Sequence, residues 1–328
     1  MGPLPGGRAG REAVRRALEQ LGEPHVVMSR GESAAALEPL LPGGTCFVYE
    51  AHRPLQAVLE GHGRRWWSDP RRRLAAWRGA RRERRLLARA DGLVCLTSGV
   101  WDDLRQRHRV RGKPHLILPS GVDVDRLAAE GAGPAGPAGP AMEPVDVLYV
   151  GKLVARKGVD TLVRAVARMP GRTVRLIGGD EAQRAWVRRV AADCGLGVER
   201  LRLPGFVAPR DVAGCYRAAR VGVCPLPTGL SAVSDRFTSP MKVLEMMAAG
   251  LPIVASDLPT VRAMLDPGVT AELVVASDPA ALAVGLERLL EDPRHAARLA
   301  RAARRAVRAY AWPCRAEALA RFCRTVVG

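Results

Sequence analysis

A chain of 328 residues, 48% of them hydrophobic, is long enough for two domains of roughly 150 residues, each with its own core. Its longest apolar runs, such as VDVLYVG and LPIVAS, fall far short of the roughly 20 residues a membrane helix needs, which excludes a spanning segment. The net charge of +18 would ordinarily raise nucleic acid as a partner. However, the basic residues are almost all arginine, set among abundant Ala, Gly and Pro as a GC-rich coding bias produces, and no nucleic acid is expected.

The opening MGPLPGGRAGREAVRR has no apolar stretch before a small-residue cleavage site, so a cytoplasmic protein is expected rather than a secreted one. Next come four short apolar runs, HVVMS, TCFVY, GLVCLT and HLILP, alternating with helical patterns over 32–41, 71–90 and 100–108. That alternation predicts a parallel sheet with helices outside it. Between Arg64 and Arg89 stand eleven arginines against Asp69 and Glu83, a local +9, with Trp66, Trp67 and Trp77 interleaved. Such a stretch suits an anionic membrane surface with tryptophan at the interface; a solvated helix face is the plain alternative.

EGAGPAGPAGPAMEP cannot pack a core and reads as a linker. It divides the chain into a domain at 1–130, a linker at 131–143, a second domain at 144–311 and a C-terminal segment at 312–328. After the linker, VDVLYVG, TVRLIGG, LRLPGF, VGVCPL, PIVASD and AELVVA alternate with helices predicted over 158–168, 182–194, 210–218, 241–249, 260–265 and 279–291. Two Rossmann-like α/β domains are expected. Strands this continuously apolar are covered on both faces, and ligands of such sheets sit at the strands' carboxyl ends. The closing RAYAWPCRAEALARFCRTVVG reads as an apolar-basic helix broken at Pro313.

Two stretches carry the chemistry. In YVGKLVARKGVDTLVRA a strand ends at Gly151, a basic loop follows and a helix begins near Gly158. Free N–H groups at that helix start, with Lys152 and Lys157 beside them, suit a diphosphate; merely solvated lysines are the alternative. In SDRFTSPMKVLEMMAAGLPIVASD a second helix starts near Pro240 with Ser239 as N-cap. Lys242 and Glu245, three apart, share a face, and a surface salt bridge is the competing reading.

Other features carry less. Asp123 and Asp125 resemble a metal-binding Asp-x-Asp pair but follow a turn rather than a strand. His25, His62, His108, His115 and His295 have no metal-ligand spacing. The seven cysteines are odd in number and widely spaced, and read as small core residues. A G-x-S-x-G elbow is absent.

In combination, strand-G-K-L-x-x-x-K-G, LIGG, PGFV, CPL and EMMAAGLPIVAS resemble the nucleotide-sugar domain of GT-B glycosyltransferases of the family 4 type (glycosyl transferases group 1). The likeness covers about residues 114–320. PSGVD and FVYEAHR resemble N-domain motifs of that family. The resemblance implies a two-domain GT-B fold whose C-terminal helix crosses back to the N-domain. It also implies a retaining, hexosyltransferase-like, metal-independent enzyme with no cofactor beyond its nucleotide diphosphate sugar. Lys152 and Lys157 would neutralise the departing diphosphate, His52 would lie near the sugar, and Glu245 would accept from the ribose hydroxyls. Gly205, Phe206 and Val207 would hold the base edge by their backbone. Gly151 and Ser239 would border the donor, and Lys242 would add charge near the phosphates or pair with an acid.

Two positions depart from the family pattern. Phe237 stands where many members carry a glutamate, eight residues before Glu245. No strand precedes MGPLPGGRAGREAVRR, so the N-domain is either reduced or begins upstream. A lipid-linked or cell-envelope acceptor at the inner membrane face follows from the arginine-tryptophan stretch. The alternatives are a catalytically weak GT-B partner subunit and a nucleotide-sugar epimerase.

Overall fold

The computed structural model describes residue 16 and residues 26–54, 69–129, 142–229 and 233–328, and the chain divides into two compact units. The opening segment with its expected missing strand, Trp66 and Trp67, His25 and His62, and linker residues 130–141 lie outside the described residues. The first unit takes residues 1–119, 231–239 and 315–328, the second 120–230 and 240–314.

In the first unit β1 (Val26–Arg30), β2 (Cys46–Ala51), β3 (Gly92–Cys95) and β4 (His115–Ile117) form a parallel sheet in that order. Side chains alternate between faces along a strand, and β2 shows why CFVYEA is apolar throughout. Phe47, Tyr49 and Ala51 pack with helices α1 (Gly31–Leu37), α2 (Pro70–Arg89) and α3 (Ser98–His108), while Val48 meets Leu319 and Phe322 of the C-terminal helix Trp312–Val327. That helix is not broken at Pro313. The proline occupies its first turn, where a missing N–H leaves no bond unmade. Asp69 and Thr97 cap α2 and α3 by accepting from Arg71 and Val100 N–H, so these helices begin at residues 70 and 98, slightly ahead of the apolar pattern.

In the second unit the elements run α4 (Val124–Ala129), β5 (Val145–Val150), α5 (Val159–Ala167), β6 (Val174–Ile177), α6 (Glu181–Asp193), β7 (Leu201–Gly205), α7 (Val212–Arg217) and β8 (Ala219–Cys224). They continue as α8 (Met241–Ala249), β9 (Ile253–Ser256), α9 (Pro259–Arg262), β10 (Glu272–Val274), α10 (Pro279–Glu291) and α11 (Pro293–Ala306). The six strands lie parallel in the order β10-β9-β8-β5-β6-β7. Val147 and Tyr149 of β5 enter the core on one face of the sheet and Leu148 the core on the other. Strand order reverses between β5 and β8, and such a switch point opens a crevice at the strands' carboxyl ends. The sequence pattern missed α11, whose buried stripe is mostly alanine: Ala296, Leu299, Ala300 and Ala303 at helical spacing.

Candidate functional site

At the carboxyl edge of β5, β6 and β7 the backbone is drawn together through glycines. Gly151 N–H donates to Ile177 O at 2.9 Å and Gly178 N–H to Gly205 O at 2.6 Å. At Gly178, with φ +109°, an added Cβ would collide with the Gly151 carbonyl, so only glycine permits this approach. The loop after β5 is held from the side as well, because Leu153 N–H donates to Gln183 Oε1 at 3.2 Å. A short 3-10 turn, Ala155–Lys157, then leads to Gly158, the left-handed N-cap of α5. The Pro225 carbonyl at the end of β8 occupies the space a Gly158 side chain would need. The two sides of the switch point are thereby in contact.

Two helices open onto this edge without side-chain caps, α5 at Gly158 and α8 at Pro240. Their leading N–H groups keep their capacity to bind an anion. By contrast α6 and α10 are capped by Asp180 and Asp278. The expectation that Ser239 caps α8 is corrected. Pro240 itself takes the N-cap position in an extended conformation, and Ser239 is buried and clusters with the first unit.

The charges at the edge are lysines. Of the four lysines in the chain, Lys113, Lys152, Lys157 and Lys242, three stand here, in a protein that otherwise uses arginine. Lys242 rises from the first turn of α8 over the ring of Tyr149, its Nζ 3.9 Å from the ring centroid, a cation–π contact. Burial pushes its pKa down to about 8 against the pull of Cys224 and Glu245. Lys157 is lowered too, first by burial and then by Lys242. Tyr149 is pushed far up by burial and stays a neutral phenol, donating to Lys152 O at 3.0 Å. Lys152 is exposed. Among the described residues none of these three lysines forms an ion pair, and the Lys242–Glu245 salt bridge that their spacing allows is not made.

Glu245 is held instead by Tyr216 of α7, whose hydroxyl donates to Oε2 at 2.7 Å. Sequence reading missed this tyrosine, which lies 29 residues away. Gly205 carries φ +85°, Phe206 after it is 79% exposed, and Val207 packs at the margin of the core.

His52 belongs to the first unit. It lies just past the end of β2, with Nε2 3.3 Å from Glu50, and Glu50 is gripped by Arg315 at 2.6 Å. Phe237 is also in the first unit, buried with Phe47, Tyr49 and Leu93 in a π-helical turn, Val233–Phe237. That turn is held by Thr97 Oγ1 donating to Arg236 O. A glutamate at position 237 would be a charge inside an apolar core. Asp123 caps the start of α4 by accepting from Arg126 N–H. His108 is paired with buried Glu83 at 3.0 Å, and His115 stacks on Trp101 at 3.8 Å. Among the cysteines Cys95, Cys215 and Cys224 are buried, but Cys314 is exposed and is no core residue.

Two parallel Rossmann-like units with this switch-point edge define a GT-B fold. Solved structures share it: sucrose-phosphate synthase from Thermosynechococcus elongatus matches with TM-score 0.75 at 23% identity over 96% of this chain and 77% of that one. Anabaena HepE in complex with UDP matches with TM-score 0.72 at 17% identity over 96% and 82%. The family model for glycosyl transferases group 1 matches residues 144–292, and that for glycosyltransferase family 4 matches residues 3–126. The chain belongs to this glycosyltransferase family. Its relatives include a D-inositol 3-phosphate glycosyltransferase of Streptomyces avermitilis, 30% identical over 73% of this chain and 52% of the relative. A phosphatidyl-myo-inositol mannosyltransferase of Mycobacterium tuberculosis is 33% identical over 69% and 58%. The chain thus spans little more than half the length of these curated relatives.

Proposed function

We propose that the protein is a retaining glycosyltransferase that takes a sugar from a nucleoside diphosphate sugar held by the second unit. The observation that carries this reading is the set of lysines that make no ion pair among the described residues, beside the uncapped starts of α5 and α8. Two half-buried ammonium groups that make no ion pair, Lys242 feeling the unbridged charge of Glu245 and Lys157 that of a second lysine, are an electrostatic vacancy that a diphosphate fills. Glu245, with one oxygen already engaged, keeps the other for ribose hydroxyls, and the backbone from Gly205 to Val207 lies where a base edge would be held.

In the reaction the bond between the anomeric carbon and the diphosphate oxygen breaks, and the acceptor oxygen bonds to that carbon from the same face. The departing phosphate oxygen takes the acceptor's proton. Charge grows on the diphosphate as the bond breaks, and Lys152, Lys157 and Lys242 stabilise it from fixed positions. His52 is assigned to the transferred sugar.

The acceptor is proposed to be an inositol phosphate or an inositol-bearing lipid, in keeping with the relatives named for D-inositol 3-phosphate and phosphatidyl-myo-inositol. The α2 helix supports that reading. Its buried face is Ala76, Glu83, Leu86 and Leu87, and opposite stand Leu74 and Trp77, 46% and 58% exposed, with Arg78, Arg81 and Arg85 on the same side. Arg81 lies 5.4 Å over the Trp77 ring. Apolar groups set among arginines suit the headgroup layer of an anionic bilayer.

The test is turnover with a panel of UDP-, GDP- and ADP-sugars, read as release of nucleoside diphosphate in the presence of inositol phosphate or anionic lipid acceptors. Release that disappears in Lys157→Ala supports the reading. No release and no nucleotide-dependent thermal shift with any donor favours an inert partner subunit, and an altered sugar without acceptor favours an epimerase.

A further inference from the structure

The Glu245 carboxylate is held by a hydroxyl from the neighbouring helix. Tyr216 is 2% exposed, and its ring is locked in the core that also holds Ala213, Val243 and Met247. The hydroxyl therefore has little freedom to leave the Glu245 carboxylate. A carboxylate has room for about four hydrogen-bond donors across its two oxygens. The Tyr216 bond takes one place on Oε2, and no basic side chain among the described residues takes another. Lys242, one turn before Glu245 on α8, is committed to the Tyr149 ring. Burial and the Glu245 charge also push the Tyr216 pKa well above the ordinary phenol value, so the hydroxyl remains a donor throughout the working range of pH.

We propose that Tyr216 is a positioning residue that fixes the Glu245 carboxylate so that its remaining oxygen meets the ribose hydroxyls, giving the site its preference for ribonucleotide over 2′-deoxyribonucleotide donors. This rests on the reading of Glu245 as the ribose acceptor. A carboxylate free to rotate samples several rotamers and loses part of the bond on fixing one. With Tyr216 in place that ordering is complete before the ligand arrives. A short charge-assisted bond from a rigid aromatic donor is suited to this because it constrains direction as well as distance.

The experiment is calorimetric titration of UDP and GDP, and of their 2′-deoxy counterparts, into wild type and Tyr216→Phe. For the nucleotide that binds, wild type is expected to favour the ribo form by about tenfold or more, the range for a site built to hydrogen-bond a hydroxyl. Tyr216→Phe is expected to weaken the ribo form about fivefold to tenfold and the deoxy form hardly at all, so that the ratio collapses. Equal weakening of both forms would show a merely structural tyrosine and overturn the proposal while leaving the ribose reading intact. A wild type that binds both forms equally overturns the ribose reading and the proposal with it. If Tyr216→Phe does not fold, Tyr216→Met answers instead: it fills the core with an apolar chain and removes the donor to Glu245. Weakening confined to the ribo form supports the proposal, and equal weakening of both forms overturns it.

Discussion

The two units use positive charge in opposite ways. In the first, arginines crowd the solvent side of α2 around Leu74 and Trp77, numerous and exposed. In the second, three lysines stand at one sheet edge, two of them half-buried and none in an ion pair among the described residues. Exposed charges are stabilised by water and contribute little to structure, whereas a buried ammonium is held at a cost that only a ligand or partner removes. The net charge of the chain therefore says less about its chemistry than the burial of two side chains.

The largest effect expected on breaking this contrast is on folding. Phe237→Glu restores the acidic residue many family members carry at that place, but here it would bury a charge in the core of the first unit. A loss of about 3–5 kcal/mol is expected from denaturant unfolding. A stable, active Phe237→Glu variant would show that the π-helical turn is free to leave the core.

Next comes the site itself. Lys157→Ala is expected to lower donor turnover about 10²- to 10³-fold, the usual scale for losing one preorganised charge from a developing anion, with the melting temperature unchanged or raised. Gly158→Ala should cost about 2–4 kcal/mol, because a left-handed φ and the Pro225 carbonyl both oppose a Cβ. An unaltered unfolding midpoint for this variant would contradict the close approach of α5 to the end of β8.

A smaller effect follows from pH. The Lys242 pKa is about 8 in the folded protein, below the lysine value of about 10.4 in unfolded chains. Between these values the unfolded state holds more protons, so stability rises with pH across that window. About 2 kcal/mol should be gained between pH 8 and 10 in the unliganded protein, and Lys242→Met should flatten the profile. Smallest in free energy is the α2 surface. Trp77→Ser with Arg81→Gln should reduce sedimentation with phosphatidylglycerol vesicles about tenfold while leaving turnover of a soluble acceptor unaltered. Equal sedimentation would return α2 to an ordinary solvated helix.

The two units were also unequally legible in the sequence. Strands were clear in both, because sheets covered on both faces need runs such as CFVYEA and VDVLYV. Helix α11 was missed although its Ala296, Leu299, Ala300 and Ala303 stripe stands in sharp hydropathy contrast to the arginines around it, because the stripe holds one large apolar side chain and no apolar run. At α8 the Ser-Pro start was read as a serine cap, yet proline's own backbone made the turn. The lysine loop was legible from its order along the chain. What Lys242 and Glu245 touch was not, because Tyr149 and Tyr216 come from other elements and no spacing rule connects them. The scarcity of lysine in an arginine-rich chain was the overlooked signal: lysine persists where a compact ammonium fits and a planar guanidinium does not.

The central claim is that this lysine edge receives a diphosphate. Binding an anion raises the depressed pKa of Lys242, so the protein takes up a proton as it binds. Calorimetry of the preferred nucleoside diphosphate at pH 8.5, in two buffers of different ionisation enthalpy, measures that uptake directly. The account predicts net uptake of up to about three-quarters of a proton in wild type and its disappearance in Lys242→Met. Binding without proton uptake, or uptake unchanged in that variant, would contradict it.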